Sequence, residues 1–212
     1  LLMAFPLIYV LMAVFTPTSP GWVHLQETVL LTYIVNTVIL AVGVGLGTTI
    51  IGATTAWLVT MCEFPGRRLF QWALFLPLAV PAYVLAYTYT DLLQYAGPVQ
   101  SGLRDAMGWG RGDYYFPEIR SLGGAVFVLT FALYPYIYML ARATFNDQSM
   151  CVIDISRSLV CSAMRVFWKV ALPLARPAII GGLALVLMET LGDFGAVAYF
   201  SVKTFTTGIF HA

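Results

Sequence analysis

Two carboxylates lie deep in an apolar stretch near the end of the chain. Glu189 and Asp193 are four residues apart, so on a continuous helix they share one face, about one turn from each other. A charge at mid-bilayer costs about 2.5–3.5 kcal/mol on insertion scales, so we expect both to face a bundle interior or a wet cavity. Two interpretations stay open. The pair lines a pathway, where its oxygens suit a hard cation, or it holds neighbouring structure by hydrogen bonds.

Two tyrosines extend this candidate site. Tyr83 and Tyr134 fall deeper in apolar segments than Tyr87 and Tyr89, which lie near a segment end, where aromatic side chains favour the membrane interface. We interpret Tyr83 and Tyr134 as candidates for lining a pathway. Packing between helices is the alternative for both.

The sequence carries no recognisable catalytic or metal centre. It has no Gly-x-x-x-x-Gly-Lys-Ser/Thr loop, so the chain is not expected to hydrolyse ATP. His24 and His211 have no carboxylate at a spacing suited to a catalytic or metal site, and the three cysteines lack metal-ligand spacing. We therefore predict no catalytic residue, no metal and no cofactor. A net charge of +1 gives no field for binding nucleic acid.

The elements that must position these residues are membrane helices. Hydrophobic residues make up 60% of the 212 residues and charged residues 10%, against about 25% charged residues in soluble domains. Residues 28–62, 69–90 and 121–141 contain no Asp, Glu, Lys or Arg, and each run is long enough for the roughly 20 residues that cross a bilayer. The sequence predicts an all-α, polytopic transmembrane domain.

Five membrane segments can be drawn along the chain. Residues 1–15 are expected to be the remnant of a truncated first helix, which an outer loop follows to residue 28. The domain core is predicted over residues 29–212, with membrane segments at about 29–61, 69–92, 121–145 and 173–200. Gly43 and Gly47 form a Gly-x-x-x-Gly pair in the second segment, which predicts close approach of another helix.

Lys and Arg placement predicts the orientation. Seven of these residues fall in one set of connections, which includes the short loop with Arg67 and Arg68, and four fall in the other set. Because positive residues are retained on the cytoplasmic side, we assign the first set to the cytoplasm. Residues 93–120 then form an outer loop and residues 146–172 a cytoplasmic one.

The cytoplasmic loop 146–172 resembles a signature of importer-type ABC transporter permeases. That family carries Glu-Ala-Ala, three residues, Gly, nine residues and Ile-x-Leu-Pro. This chain has the same spacing, with Asp in place of Glu, Ile and Ser in place of the two Ala, and Val in place of Gly. The corresponding positions are Asp154, Ile155, Ser156, Val160, Val170, Leu172 and Pro173. The sequences around residues 36–37 and 64–68 are also similar to this family, and those around residues 76–83, 188–195 and 205–209 resemble more narrowly its ferric-iron branch.

The resemblance implies a permease fold, partners and a division of labour. The loop would form a coupling helix that docks on a separate cytoplasmic ATPase dimer, with Asp154 as the polar contact and Leu159 and Phe167 as anchors buried against that subunit. The outer loops would meet a periplasmic solute-binding protein. Ferric-branch members commonly hold two six-helix halves, so we expect this chain to be an incomplete first half that works with a second permease half in the bacterial inner membrane.

Two alternatives to a ferric-iron permease stay open. Permeases for thiamine, sulfate, molybdate and polyamines share much of the same pattern. A proton-coupled secondary transporter could instead use Glu189 and Asp193 directly, and its transport would survive without any ATPase.

Overall fold

The computed structural model describes residues 30–110, 113–147 and 163–211. Every regular element in these ranges is a helix, which confirms the predicted all-α fold. The predicted first membrane segment lies outside the described residues. So do five of the coupling-loop positions, which are Asp154, Ile155, Ser156, Leu159 and Val160.

The described helices follow each other in a simple order. They are α1 (Leu30–Met61), α2 (Arg67–Ala73), a 3-10 turn (Leu76–Ala79), α3 (Ala82–Leu93), α4 (Pro98–Met107), α5 (Leu122–Asp147), α6 (Ala163–Val166), a π-helical turn (Phe167–Ala171), α7 (Leu172–Gly192), α8 (Gly195–Tyr199) and α9 (Phe205–His211). Three helices are long and apolar enough to span a membrane, namely α1, α5 and the continuous run Met164–Gly192. We call the end near Arg67 and Arg68 the inner end and the opposite end the outer end.

Small residues let the three long helices pack closely. A Cβ added at Gly43 or Gly47 would lie within 2.9 Å of a side chain on α5, so the predicted Gly-x-x-x-Gly contact is present. Further along, Ile137 of α5 fits between Gly52 of α1 and Gly182 of α7, where added Cβ atoms would each come within 2.9 Å of it. Glycine thus sets the distance between the helices where lipid gives no hydrophobic drive for their association.

Filling the contact at Gly52 should destabilise the bundle. In Gly52→Ala the new Cβ would lie 2.9 Å from Ile137 Cβ and 3.0 Å from the Tyr134 carbonyl, and neither atom can rotate away. Overpacking of this kind costs about 1–3 kcal/mol. Thermal unfolding of the purified chain in detergent measures the loss. Gly181→Ala is the matched control, because its nearest neighbour is a Leu140 methyl at 4.0 Å, and an equal loss in both variants would contradict this packing.

The third predicted segment is not a straight helix but a bent pair of helices that together are long and apolar enough for one span. Its two parts, Arg67–Ala79 and Ala82–Met107, meet at 102°. Pro81 cannot donate a backbone hydrogen bond and disfavours a helical conformation at Val80, which is extended at φ −112° and ψ 125°. The outer loop 93–120 also differs from the expectation of a plain loop, because it contains α4.

The fifth predicted segment is divided as well. It begins before residue 173, because α6, the π-helical turn and α7 run on continuously. In the π-helical turn the Leu172 amide donates to the Phe167 carbonyl five residues back, and this wider turn immediately precedes Pro173. At the outer end α7 stops at Gly192, and α8 starts a new helix at Gly195.

The short turn between α1 and α2 is built around an arginine. Gly66 takes a left-handed conformation at φ 87°, which glycine adopts without steric cost. The chain reverses there, and the Arg67 guanidinium donates to the carbonyls of Val59 at 2.6 Å and Thr60 at 2.7 Å. These carbonyls belong to the last turn of α1, so Arg67 satisfies acceptors that the helix leaves unpaired and complements its negative end.

Candidate functional site

Two helix breaks lie side by side in the described structure. The first falls at Pro81, before α3, and the second falls between α7 and α8. Gly195, the first residue of α8, packs against Tyr83 of α3, and an added Cβ at Gly195 would lie 3.1 Å from Tyr83 Cβ. Interrupted helices at membrane depth are tolerated where their free backbone groups line a cavity or are buried in protein. Residues 80–83 and 192–195 form this junction. It is the part of the described chain that best fits a transport pathway.

Asp193 is placed as a helix cap. Its Oδ1 accepts hydrogen bonds from the backbone amides of Ala196 at 2.8 Å and Val197 at 3.3 Å, both in the first turn of α8. Asp193 itself is extended, with ψ 117°, and lies beyond the end of α7. Asp193 is thus the C-cap residue of α7, four residues after Glu189, and its carboxylate is turned to the first turn of α8.

Glu189 is exposed on α7, one turn before the break. Its carboxylate makes no hydrogen bond or ion pair with any of the described residues. A carboxylate in a membrane segment needs water or a protein partner around it. Around Glu189 this water or partner must come from outside the described residues.

The two candidate tyrosines, Tyr83 and Tyr134, lie in different surroundings. Tyr83 is 51% exposed beside the junction, so it remains a candidate for lining a pathway. Tyr134 is only 6% exposed, and its hydroxyl donates to the Leu74 carbonyl at 3.0 Å. Tyr138 does the same to the Gln71 carbonyl at 3.2 Å. Both tyrosines thus hold α2 against α5, and the structure gives Tyr134 the packing role.

The inner end contains an aromatic cluster that the sequence did not reveal. Trp57 of α1 contacts Phe145 at 5.7 Å and Phe167 at 5.2 Å between ring centroids. Phe167 is 5% exposed, so its expected role as an anchor on a partner subunit is corrected to an anchor within this chain. Leu172 and Pro173 lie in the continuous helix at the start of α7. The exposed residues of this stretch are instead Met164, Arg165, Trp168 and Lys169.

The outer end contains an ordered cleft of about 560 Å³ between the end of α3 and residues 116–120. Gln100 at its wall donates to the Leu93 carbonyl at 2.6 Å and accepts from the Tyr114 hydroxyl at 2.7 Å. Arg120, also at the wall, donates to the Tyr199 hydroxyl at 3.2 Å. The last contact joins the outer cleft to α8, and through α8 to the junction.

The end of the described chain is tied back to its beginning. Asn36 donates to the Lys203 carbonyl at 3.0 Å, and the Phe205 amide donates to the Thr37 hydroxyl at 3.2 Å. Both stretches contribute to the family resemblance. Their separation of more than 160 residues hid the contact from any local pattern. No group of three or more metal-ligating side chains occurs among the described residues.

Comparison with known proteins defines the class. The family described as "Binding-protein-dependent transport system inner membrane component" matches residues 48–209, about three quarters of the chain. The match contains the aromatic cluster, the loop 146–172 and the junction. The chain belongs to this family of inner-membrane transport components, and its place is therefore the inner membrane.

Individual relatives differ in the substrate that their names give. The Fe(3+)-transport system permease protein FbpB 2 of Haemophilus influenzae is 29% identical over 82% of this chain and 30% of its own length. The molybdenum transport system permease protein ModB of Escherichia coli K12 is 31% identical over 70% of this chain and 62% of its own. A probable sulfate transport system permease protein, cysT of Chlorokybus atmophyticus, is 26% identical over 83% and 59%. The chain spans less than two thirds of each relative.

Proposed function

We propose that the chain is a transmembrane permease subunit of an ATP-driven importer that receives its substrate from a periplasmic binding protein. The observation that carries this proposal is the family match over residues 48–209, together with the spacing of the motif from Asp154 to Pro173. Because this chain has no ATP-binding loop, the hydrolysis belongs to a separate cytoplasmic subunit. The chain itself acts as a path and a transmitter, not as an enzyme.

Each region of the chain has a distinct part in this proposal. The loop 146–172 docks on the ATPase. Its exposed side chains include those of Trp168 and Lys169. The outer cleft, with Gln100 and Arg120, faces the binding protein. Residues 29–212 form the permease core, and residues 1–28 are a separate membrane segment with its outer loop.

The pathway runs along the exposed face of α7, at the surface shared with a second permease half. This position explains why Glu189 is exposed in the single chain, since the second half and water would surround it. Asp193 holds α8 in place after the break, and Tyr83 stands beside the same junction. Movement of α8 relative to α7 at the junction would open or close the path while α7 stays helical.

The substrate that this geometry favours is ferric iron. A carboxylate on the pathway attracts a hard cation through oxygen coordination and repels an oxyanion such as molybdate or sulfate. The alternative mechanism is proton coupling, in which Glu189 takes up and releases a proton, and its uncovered position on α7 is the observation that favours it.

The substrate is tested by offering several in parallel. Cells that carry the chain with its partner subunits are given labelled ferric iron, molybdate, sulfate, thiamine and a polyamine. We expect only ferric iron to accumulate above cells lacking the chain, and excess unlabelled iron to suppress it. Accumulation of molybdate or sulfate in place of iron would overturn the substrate, while leaving the importer mechanism standing.

A further inference from the structure

An apolar crevice opens between the inner end of α1 and α2. It has a volume of about 280 Å³, and no polar atom contributes to its accessible wall. Two of its walls, Leu58 at 49% and Phe70 at 48%, are exposed to the surroundings. The remaining lining residues are Thr55, Val59, Phe64 and Leu74. A crevice of this size is too small for a folded partner and is suited to a flexible hydrocarbon chain.

The depth of the crevice places it inside the bilayer. Its far end is Leu74, which lies eight residues or about 12 Å along α2 from the turn at Gly66. It opens at Leu58, in the last turn of α1, and at Phe70 of α2. The crevice therefore begins near the inner membrane surface and runs into the hydrocarbon, as an acyl chain does.

The mouth of the crevice is positively charged. Arg67 is engaged with the Val59 and Thr60 carbonyls, whereas the neighbouring Arg68 is exposed and has no hydrogen bond or ion pair with any of the described residues. Glu63, in the same turn, is the facing carboxylate, so the local balance is positive.

We propose that this corner is a binding site for an anionic phospholipid. One acyl chain fills the crevice beside Leu58 and Phe70, and the phosphate lies at Arg68. Trp72, which is 74% exposed on α2, anchors the same corner at the level of the headgroups. The site needs only the membrane location and does not depend on the transported substrate or the energy source.

The fixed position of Arg67 gives this site its shape. Because its guanidinium ties α2 to the last turn of α1, the two walls of the crevice are held apart at a set distance. The lipid would in turn shield the apolar walls that this arrangement exposes. Lipid occupancy is thus expected to stabilise the corner at which α1 ends and α2 begins.

Native mass spectrometry of the purified chain, with phosphatidylglycerol or phosphatidylcholine added, tests the charge. One cation near an anionic headgroup contributes a factor of about five in affinity. We expect Arg68→Ala to lower phosphatidylglycerol retention by about five-fold and to leave phosphatidylcholine retention unchanged. Lys169→Ala is the matched control, because Lys169 is an exposed cation at the inner end on another helix. Equal losses in the two variants would show diffuse surface attraction and overturn the site.

The crevice is tested separately by filling it. Leu58→Trp should lower retention of both lipids, whereas Leu174→Trp, at a similarly exposed leucine (52%) outside the crevice, should not. Leu58→Phe is the milder filling if gel filtration shows that Leu58→Trp is misfolded. Unchanged retention in the folded filling variant would overturn the proposal. So would efficient disulfide crosslinking of two copies through Leu58→Cys in native membranes, since a second chain would then cover the crevice.

Discussion

Replacing Asp154 with Lys, or Leu159 with Glu, is expected to abolish substrate-stimulated ATP hydrolysis in the assembled complex. Both residues lie in the loop proposed to dock on the ATPase. Truncating a buried anchor at a protein interface typically costs at least about 2 kcal/mol, which is roughly a thirty-fold loss of affinity. A buried carboxylate at position 159, or a reversed charge at position 154, should cost at least as much. The measurement is phosphate release by the reconstituted complex, with and without loaded binding protein.

The control for this prediction is a charge reversal elsewhere on the same side. Glu63→Lys changes an exposed acidic residue in the turn between α1 and α2, which is not part of the loop. It should leave stimulated hydrolysis intact. If Asp154→Lys and Leu159→Glu both couple as well as the parent chain, the loop does not dock on the ATPase.

Neutralising Glu189 is expected to remove most substrate uptake without harming assembly. In Glu189→Gln the side chain keeps its size and loses its charge, so an oxygen-rich site for a hard cation is weakened while packing is preserved. Because the carboxylate makes no hydrogen bond with the described residues, we expect unchanged unfolding temperature and basal hydrolysis. Uptake is measured in proteoliposomes that contain the complete complex. Normal uptake in this variant would remove Glu189 from the pathway.

Asp193 gives the matched comparison, because its role as a cap can be separated from its charge. Asp193→Asn keeps an oxygen that accepts from the Ala196 amide, and is expected to retain most uptake. Asp193→Ala removes the cap, at a cost of about 1 kcal/mol, and should loosen α8 and reduce uptake. If Asn reduces uptake as strongly as Ala while the unfolding temperature is kept, the charge of Asp193 belongs to the pathway after all.

The sequence predicted the features that depend on local patterns. Charge-free runs gave α1 and α5 with only small shifts at their ends, and the Gly43 and Gly47 pair gave a real helix contact. Each of these follows from bilayer thickness or side-chain size alone. The break in the third segment was also signalled locally by Pro77 and Pro81, because proline in or at the end of a helix favours a kink.

The rest could not be predicted, because it depends on contacts between distant residues. Tyr134 was a candidate pathway residue from its position in the sequence, but its hydroxyl donates a hydrogen bond to the carbonyl of Leu74, 60 residues away. Phe167 looked like an exposed anchor, although Trp57 buries it. The break after Gly192 turned Asp193 from a helix-face residue into a cap, a change that only the backbone of α7 and α8 defines.

The source of energy tests the proposed function most directly. Proteoliposomes are prepared with the chain, its partner permease half and the ATPase, and uptake is followed after loaded binding protein is added outside. We predict that uptake requires ATP inside, stops when the ATPase is left out, and persists when a protonophore collapses the proton gradient. Uptake that is driven by a proton gradient without ATP or the ATPase would contradict the proposal and establish a proton-coupled transporter.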